Sequence, residues 1–211
     1  MKQGKLQIAG IVAAAGLSTR MGNFKPLLPY ASHTMIQSTV ASLKNAGTQH
    51  IIVVVGHRGD EIARRLAGME DVKVIYNPNY QEGDMLESIQ LALQTLEDGW
   101  DAAYVLPGDM PAIATDTFKR VRTSMEKTDA WVVFPTLNGR KKHPPLIARH
   151  CFPSICRFCG DGGLRMALQQ FDKQTVYIPV DDVGCSIDVD TPADYAQLLQ
   201  YRDHMNPTNN I

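Results

Sequence analysis

The sequence is poor in several features that would each point to a particular class of protein. No apolar run approaches the ~20 residues that a helix needs to span a bilayer. The first residues, MKQGKLQ, lack the apolar core of a secretory signal peptide. The formal net charge of -1 over 211 residues offers no broad field to nucleic acid or to an anionic membrane. We therefore expect a cytoplasmic protein whose partners include neither a membrane nor a nucleic acid.

Cysteine is also scarce, and its spacing is not that of a metal centre. The four cysteines agree with a reducing compartment. Cys156 and Cys159 form a C-x-x-C pair, but structural zinc usually needs a second pair or two regularly spaced histidines, and the chain has neither. We interpret the thiols as buried or incidental and keep a metal or redox role as the weaker alternative.

What the sequence does contain is a regular alternation of two patterns up to about residue 136. Short apolar, β-branched runs predict the strands IAGIVAAA, HIIVVVG, VKVIYN, AAYVLP and AWVVFP. Amphipathic stretches between them predict the helices MIQSTVASLKNAG, DEIARRLAG, LESIQLALQTLE and ATDTFKRVRTSME. Such alternation is typical of βαβ units with right-handed crossovers. We therefore predict an α/β, Rossmann-like three-layer αβα fold with a mainly parallel sheet.

The alternation breaks after residue 136. LNGRKKHPPLIA predicts a hairpin or flap, GDGGLRMALQQF a short helix and TVYIPV another strand. The last helix is predicted to begin in TPADY, with Thr191 as its N-cap and Pro192 at its first position. We expect a single domain over residues 1–211, with a flap or insertion at about residues 136–175.

The first loop, residues 13–25, has the composition of a phosphate-binding loop. In open parallel sheets, ligands bind at the carboxyl ends of the strands, where this loop lies. Its first residues are small enough for phosphate to reach backbone N–H groups, and Arg20 and Lys25 bring positive charge to a polyphosphate. The five residues between Gly16 and Gly22 exclude a Walker A loop. The alternative is a flexible connection whose glycines only turn the chain.

Two further segments carry carboxylates after predicted strands. In LPGDMP, Asp109 follows a buried strand, where a carboxylate suits Mg²⁺, although a turn aspartate is the alternative. In SIDVDTPADY, Asp188 and Asp190 lie on the same side of an extended segment. One of them could join Asp109 on a metal ion. Alternatively, Asp190 only helps Thr191 to cap the last helix, and the sequence leaves both interpretations open.

Taken together, these motifs resemble those of a known family. AAAGLSTRMGNFKPLLP resembles the signature of the molybdenum-cofactor nucleotidyltransferases, the MobA-like NTP transferase family. PGDMP resembles that family's metal-binding loop, NPNYQEG its third-strand loop, KHPPLI its G-H-P segment and IDVDTPADY its D-I-D-T-P segment. The resemblance covers nearly the whole chain in the expected order. It implies the nucleotide-diphospho-sugar transferase type of αβα fold.

The resemblance also implies a reaction. The AAAG at residues 13–16 resembles the cytidylyl-transferring members, so the implied reaction transfers CMP from CTP to the molybdopterin (molybdenum) cofactor and releases pyrophosphate. The implied partners are CTP, the molybdopterin cofactor and a client molybdoenzyme. One alternative is a cytidylyltransferase that acts on a sugar phosphate or methylerythritol phosphate. The other is a non-catalytic chaperone that delivers the cofactor to a molybdoenzyme.

The resemblance assigns roles to individual residues. The catalytic residues it implies are Lys25, Arg20 and Asp109. The nucleotide-binding residues it implies are Ala13, Ala14, Ala15, Gly16, Ser18, Arg20, Gly22, Lys25, Pro107 and Gly108. Mg²⁺, or alternatively Mn²⁺, is implied on Asp109 with Asp190 or Asp188, and Ser88 and His143 on the acceptor side. Two positions depart from the family's pattern. The family tends to have a serine four residues after the glycine of the third-strand loop, whereas Gly83 and Ser88 are five residues apart. Lys142 stands where the family has glycine.

Overall fold

The computed structural model describes residues 5–17 and 23–205 of the chain. Three residues that the sequence predicts to bind nucleotide, Ser18, Arg20 and Gly22, lie outside the described residues. Within the described part, no helix combines the length and the apolar composition needed to cross a bilayer.

The described residues form ten strands and seven α-helices, which follow the predicted alternation closely as far as residue 136. The strands are β1 (Ile8–Ala14), β2 (Pro29–Tyr30), β3 (His33–Thr34), β4 (His50–Val55), β5 (Val72–Tyr76), β6 (Ala102–Pro107), β7 (Val132–Leu137), β8 (Arg140–Lys141), β9 (Leu146–Ala148) and β10 (Thr175–Pro179). The helices are α1 (Met35–Asn45), α2 (Gly59–Leu66), α3 (Met85–Thr95), α4 (Thr115–Lys127), α5 (Phe152–Arg157), α6 (Gly163–Gln169) and α7 (Pro192–Met205).

One mainly parallel sheet forms the middle layer, with the strand order β10-β7-β9-β6-β1-β4-β5. Strand β1 pairs in parallel with both β4 and β6, so that Ile11 lies opposite Ile52 on one side and Val105 on the other. Strand β9 is antiparallel to both of its neighbours, and β8 pairs antiparallel with β7. The predicted α/β fold with a mainly parallel sheet is therefore confirmed.

Helices cover both faces of this sheet because its central strands are apolar on both faces. One face packs against α1, α2 and α4, and the other packs against α3, α5 and α6. Buried anchors on the helices are Ile36, Ile62 and Phe118 on the first face and Ile89, Ile155 and Leu168 on the second. The three layers leave the carboxyl ends of the parallel strands uncovered by helices, and this is where a ligand site is expected.

The segment predicted as a hairpin or flap has a different structure in its second half. The first half is a hairpin, in which Leu137 pairs with Arg140. Strand β9, however, inserts between β6 and β7, and its three residues are buried. The flap interpretation is therefore wrong for 146–148. The run LIA is shorter than an ordinary strand, so it is too short to show the alternation that predicts a strand.

Replacing Ile147 tests whether β9 belongs to the core. Ile147 is fully buried and lies opposite Ala103 on β6 and Val132 on β7. Ile147→Ala should lower the free energy of unfolding by about 2–5 kcal/mol, because it leaves a cavity in the sheet layer. Denaturant unfolding measures this change. Arg140→Ala, at an exposed position of the same segment, is the control and should change stability by less than about 0.5 kcal/mol. Equal, small effects would mean that 146–148 is a flap after all.

Candidate functional site

A cleft of about 500 Å³ opens at the carboxyl ends of β1, β5 and β6. Its walls are the first loop, the segment from the end of β5 into α3, and the loop after β6. The lining residues are Ala13, Ala14, Ala15, Gly16, Leu17, Lys25, Pro26, Asn77, Tyr80, Gln81, Gly83, Asp84, Met85, Ser88, Pro107, Gly108 and Asp109. Every nucleotide-binding residue that the sequence predicts within the described part of the chain is therefore found in one cleft.

Small residues allow the loops around the cleft to approach each other closely. The Gly108 N–H donates to the Ala13 carbonyl at 2.9 Å, which ties the loop after β6 to the end of β1. A Cβ atom at Gly108 would lie only 2.9 Å from the Cβ of Ala14 and 3.0 Å from a methyl of Ile36. Glycine is therefore required here, and this close packing fixes the position of the next residue, Asp109.

Among the described residues that line the cleft, Lys25 is the positively charged one. It begins a short 3-10 turn, Lys25–Leu27, and its side chain is only 12% exposed. Its Nζ atom lies 2.7 Å from Oδ1 of Asp190 and 3.5 Å from Oδ2 of Asp109. Lys25, Asp109 and Asp190, which come from three separate sequence motifs, thus meet at one ammonium group.

The environment of Asp109 works against its charged form. Burial raises the pKa of the Asp109 carboxyl above its ordinary value, while the Lys25 ammonium lowers it and the charge of Asp188 raises it. Any further cation that approaches such a carboxylate stabilises its charged form. Asp109 is therefore well placed to bind a cation at the bottom of the cleft.

The segment 187–190 presents its two aspartates on one side. Ile187 and Val189 are buried against α7, whereas Asp188 is exposed and Asp190 is half-buried. This alternation confirms that the two carboxylates share a side of an extended segment. Because Val189 anchors the segment, Asp190 is held in contact with Lys25.

The cap of α7 does not need the side chain of Asp190. Thr191 and Asp194 form a reciprocal cap, in which Oδ2 of Asp194 accepts from the Thr191 N–H at 2.7 Å and Oγ1 of Thr191 accepts from the Asp194 N–H at 3.2 Å. The Asp190 N–H also donates to Asp194, while the Asp190 carboxylate accepts from Lys25. Of the two interpretations left open by the sequence, the structure favours a carboxylate that contacts Lys25 of the cleft rather than one that caps α7.

The wall opposite the Asp109 loop is built by Asn77 and α3. Asn77 is the first residue after β5, and its Nδ2 atom donates to Oγ of Ser88 at 3.1 Å; both side chains are buried. Asp84 caps α3 by accepting from the N–H groups of Leu86 and Glu87. Ser88, predicted for the acceptor side, therefore lies in the same cleft as the first loop. Asn77 is not among the residues predicted from the sequence, although its place directly after a strand was the available signal.

An aromatic cluster supports the outer rim beside the first loop. The His57 ring lies edge-on to Phe24, with centroids 5.4 Å apart, and 6.3 Å from the ring of Tyr80. A Cβ atom at Gly56 would come within 2.4 Å of Tyr80 and 2.8 Å of the Ala15 carbonyl. Glycine at position 56 therefore lets Tyr80 pack directly against the loop, where it forms part of the cleft wall.

His143 lies beside the cleft rather than in its lining. Its Nδ1 atom is 3.4 Å from the Val105 carbonyl, near the end of β6. Burial lowers the pKa of the His143 imidazole, while the Val105 carbonyl and the charge of Asp188 raise it, and Lys142 lowers it further. The lowered pKa favours a neutral ring. His143 is therefore close to Asp188, and its predicted place on the acceptor side stays a prediction.

The donor chemistry of the site fits a hard divalent cation. Asp109 and Asp190 offer carboxylate oxygens that already converge on one positive charge, that of Lys25. Within residues 5–17 and 23–205, no group of three or more His, Cys, Asp or Glu side chains forms a complete metal cage. Magnesium, as one example of a divalent cation, usually takes only one or two protein carboxylates and fills its other positions with water and substrate phosphates.

An open parallel sheet whose strand ends hold a loop of small residues, a lysine and paired carboxylates is the arrangement of a nucleotide-binding α/β enzyme. Residues 10–175 match the model of the MobA-like NTP transferase domain. The chain belongs to this family, whose members are nucleotidyltransferases.

Relatives of known sequence and structure are consistent with this membership. A molybdenum cofactor cytidylyltransferase of Escherichia coli (strain K12) is 32% identical over 88% of this chain and 92% of the relative. A nicotine blue oxidoreductase of Paenarthrobacter nicotinovorans is 25% identical over 91% of this chain and 96% of the relative.

The structural comparison gives the same fold. A crystal structure of Rv0371c from Mycobacterium tuberculosis H37Rv has a TM-score of 0.80 at 26% identity and covers 93% of this chain and 100% of that one. A second structure of that protein, a complex with manganese, has a TM-score of 0.73 at 26% identity and covers 92% and 98% of the two chains.

Proposed function

We propose that this protein, as a single nucleotidyltransferase domain, transfers CMP from CTP to the molybdenum cofactor and releases pyrophosphate. The observation that carries the proposal is the meeting of Lys25, Asp109 and Asp190 at the mouth of a loop made of small residues. Such a loop can bind phosphate through its backbone N–H groups. The lysine can neutralise negative charge of a triphosphate, and the carboxylates can bind its divalent cation. The similarity to a cofactor cytidylyltransferase supports the choice of both substrates.

The proposed reaction is an in-line attack of a phosphate oxygen of the acceptor on the α-phosphorus of CTP. The new bond joins the acceptor oxygen to this phosphorus, and the bond to the β-phosphate oxygen breaks, so pyrophosphate leaves with the electron pair. An ionised phosphate nucleophile needs no strong general base. Catalysis then depends on positioning and on stabilisation of the growing negative charge.

Different described residues would bind the triphosphate, neutralise the leaving group and hold the divalent cation. Ala14, Ala15 and Gly16 line the cleft, where backbone amides of this loop would hold the triphosphate, and Lys25 would neutralise the charge that develops on the leaving pyrophosphate. Asp109, with Asp190, would hold a divalent cation. When bound, such an ion supplies Lewis-acid stabilisation of the α-phosphoryl oxygens. A manganese complex of a structural neighbour supports a divalent ion in this fold.

An acceptor screen tests the proposal. Pyrophosphate release from CTP is measured with molybdopterin cofactor, with methylerythritol phosphate and with a sugar phosphate, each in the presence of Mg²⁺ or Mn²⁺. Release with the molybdenum cofactor alone is expected. Release with either of the other acceptors would replace the proposal with the corresponding cytidylyltransferase. Binding of the cofactor without release would instead identify a delivery chaperone for a client molybdoenzyme.

We expect a preference for CTP over GTP of at least about tenfold in kcat/KM. Ala15 is buried and lines the cleft, and we expect its methyl group to narrow the space for a base. One methyl group in a tight pocket changes binding by about 1–3 kcal/mol. Initial rates with the two nucleotides measure the preference. Ala15→Gly is the matched variant and should bring the two rates closer. Equal use of GTP by the unmodified protein would contradict the assignment to CTP.

A further inference from the structure

Lys142 occupies a defined place beside the proposed acceptor side. Its N–H donates to the Pro135 carbonyl at 2.9 Å, so it extends the β7–β8 pairing by one residue. The next residue is the half-buried His143, whose Nδ1 atom lies 3.4 Å from the Val105 carbonyl of β6. The backbone of Lys142 is thus fixed close to the strand that leads into the loop of Asp109.

The side chain of Lys142 points to the opposite side from that of Lys141. The Lys141 ammonium lies over the rings of Phe134 and Tyr177, at 5.3 and 5.0 Å from their centroids. Because side chains alternate along an extended segment, Lys142 faces the other side, toward the turn Val183–Ser186 that precedes Asp188. The charge of Lys142 acts on Cys185 of this turn: burial raises the pKa of the Cys185 thiol, and the Lys142 ammonium lowers that pKa.

On this side of the site an anionic nucleophile meets the carboxylate of Asp188, which is exposed and whose charge raises the pKa of Asp109. The ammonium of Lys25 is already within 3.5 Å of Asp109 and Asp190. Lys142 is half-buried, and among the described residues no carboxylate lies within ion-pair distance of it. A partly desolvated ammonium without such a partner gains most when an anion binds to it.

We propose that Lys142 binds the phosphate monoester end of the acceptor and positions its oxygen for attack. A phosphate monoester carries a charge of about -1.5 to -2 near pH 7 and is repelled by the Asp188 carboxylate. Lys142 compensates this charge from the side that faces Asp188. This inference rests on the proposed function and adds to it the residue that selects a phosphate-bearing acceptor.

Lys142→Met tests the inference, with Lys141→Met as the matched control on the opposite face. Loss of a charge-assisted contact to phosphate should raise KM for the molybdenum cofactor roughly tenfold to a hundredfold. KM for CTP should stay within about twofold, and the thermal melting temperature should not change, since Lys142 anchors no described carboxylate. Lys142→Arg should recover most of the affinity. Lys141→Met should leave both KM values unchanged.

Equilibrium binding of the cofactor to the unmodified protein and to Lys142→Met, without CTP, separates this inference from the function on which it rests. Weaker binding to the variant supports the role of Lys142 even if the protein transfers nothing. Equal binding and equal KM in a folded variant would overturn the role of Lys142 and leave the transferase proposal intact. Absence of both binding and transfer in the unmodified protein would overturn both.

Discussion

Asp109→Asn should reduce nucleotidyl transfer by about a hundredfold to a thousandfold while the fold remains intact. Asp109 lies at the bottom of the cleft, next to Lys25, and is held there by the close packing of Gly108 against β1. Replacing its carboxylate with an amide weakens the hold on a divalent ion, which supplies several kcal/mol of charge stabilisation in the transition state. Rates of pyrophosphate release across a Mg²⁺ titration measure the loss.

Stability provides the control for this variant. Because burial raises the pKa of Asp109, the folded state holds the proton more tightly than the unfolded chain does, so the free energy of unfolding falls as pH rises through that range. At neutral pH the ionised carboxylate therefore costs stability, and the melting temperature of Asp109→Asn should be no lower than that of the unmodified protein. Asp190→Asn should also lose activity. A fully active Asp109→Asn protein with ordinary Mg²⁺ dependence would contradict the metal site.

Lys25→Met should weaken CTP binding and turnover roughly tenfold to a hundredfold, the value of one charge-assisted contact to phosphate of about 1.5–3 kcal/mol. The Lys25 ammonium lies where the small-residue loop meets the two carboxylates, so its loss also removes the ion pairs that it forms with Asp109 and Asp190. Equilibrium binding of CTP and initial rates measure the two effects separately.

A remote lysine is the control for Lys25→Met. Lys119 is exposed on α4, and Lys119→Met should leave CTP affinity and turnover unchanged. Circular dichroism establishes that both variants are folded. Ordinary CTP affinity and rate in a folded Lys25→Met protein would remove Lys25 from the proposed machinery.

The parallel part of the fold could be predicted because its signals are local. The runs IAGIVAAA and HIIVVVG have the length and β-branched composition of buried strands, and the helices between them have clear amphipathic periods. Strand β9 and helix α5 could not be predicted in the same way. Each is short, and each depends on partners distant in sequence, as when β9 pairs with both β6 and β7.

The candidate site was predictable to the extent that its residues lie in motifs directly after strands. Lys25 and Asp109 were identified in this way, and the structure brings them together with Asp190. The sequence could not decide whether Asp190 faces the site or caps α7, because that choice depends on Asp194, which takes over the cap. Asn77 was not singled out because a lone asparagine carries no distinctive spacing.

The contact between Lys25 and Asp190 joins residues 165 positions apart, near the two ends of the chain. During synthesis, the N-terminal strands and helices emerge long before the segment Ile187–Asp190 exists, and chains begin to fold from the N-terminus. A nascent chain therefore holds an ammonium and a buried carboxylate without the second carboxylate that completes the group. The site becomes whole only when the last fifth of the polypeptide has docked, so an unfinished or C-terminally truncated protein would be unable to consume nucleotide.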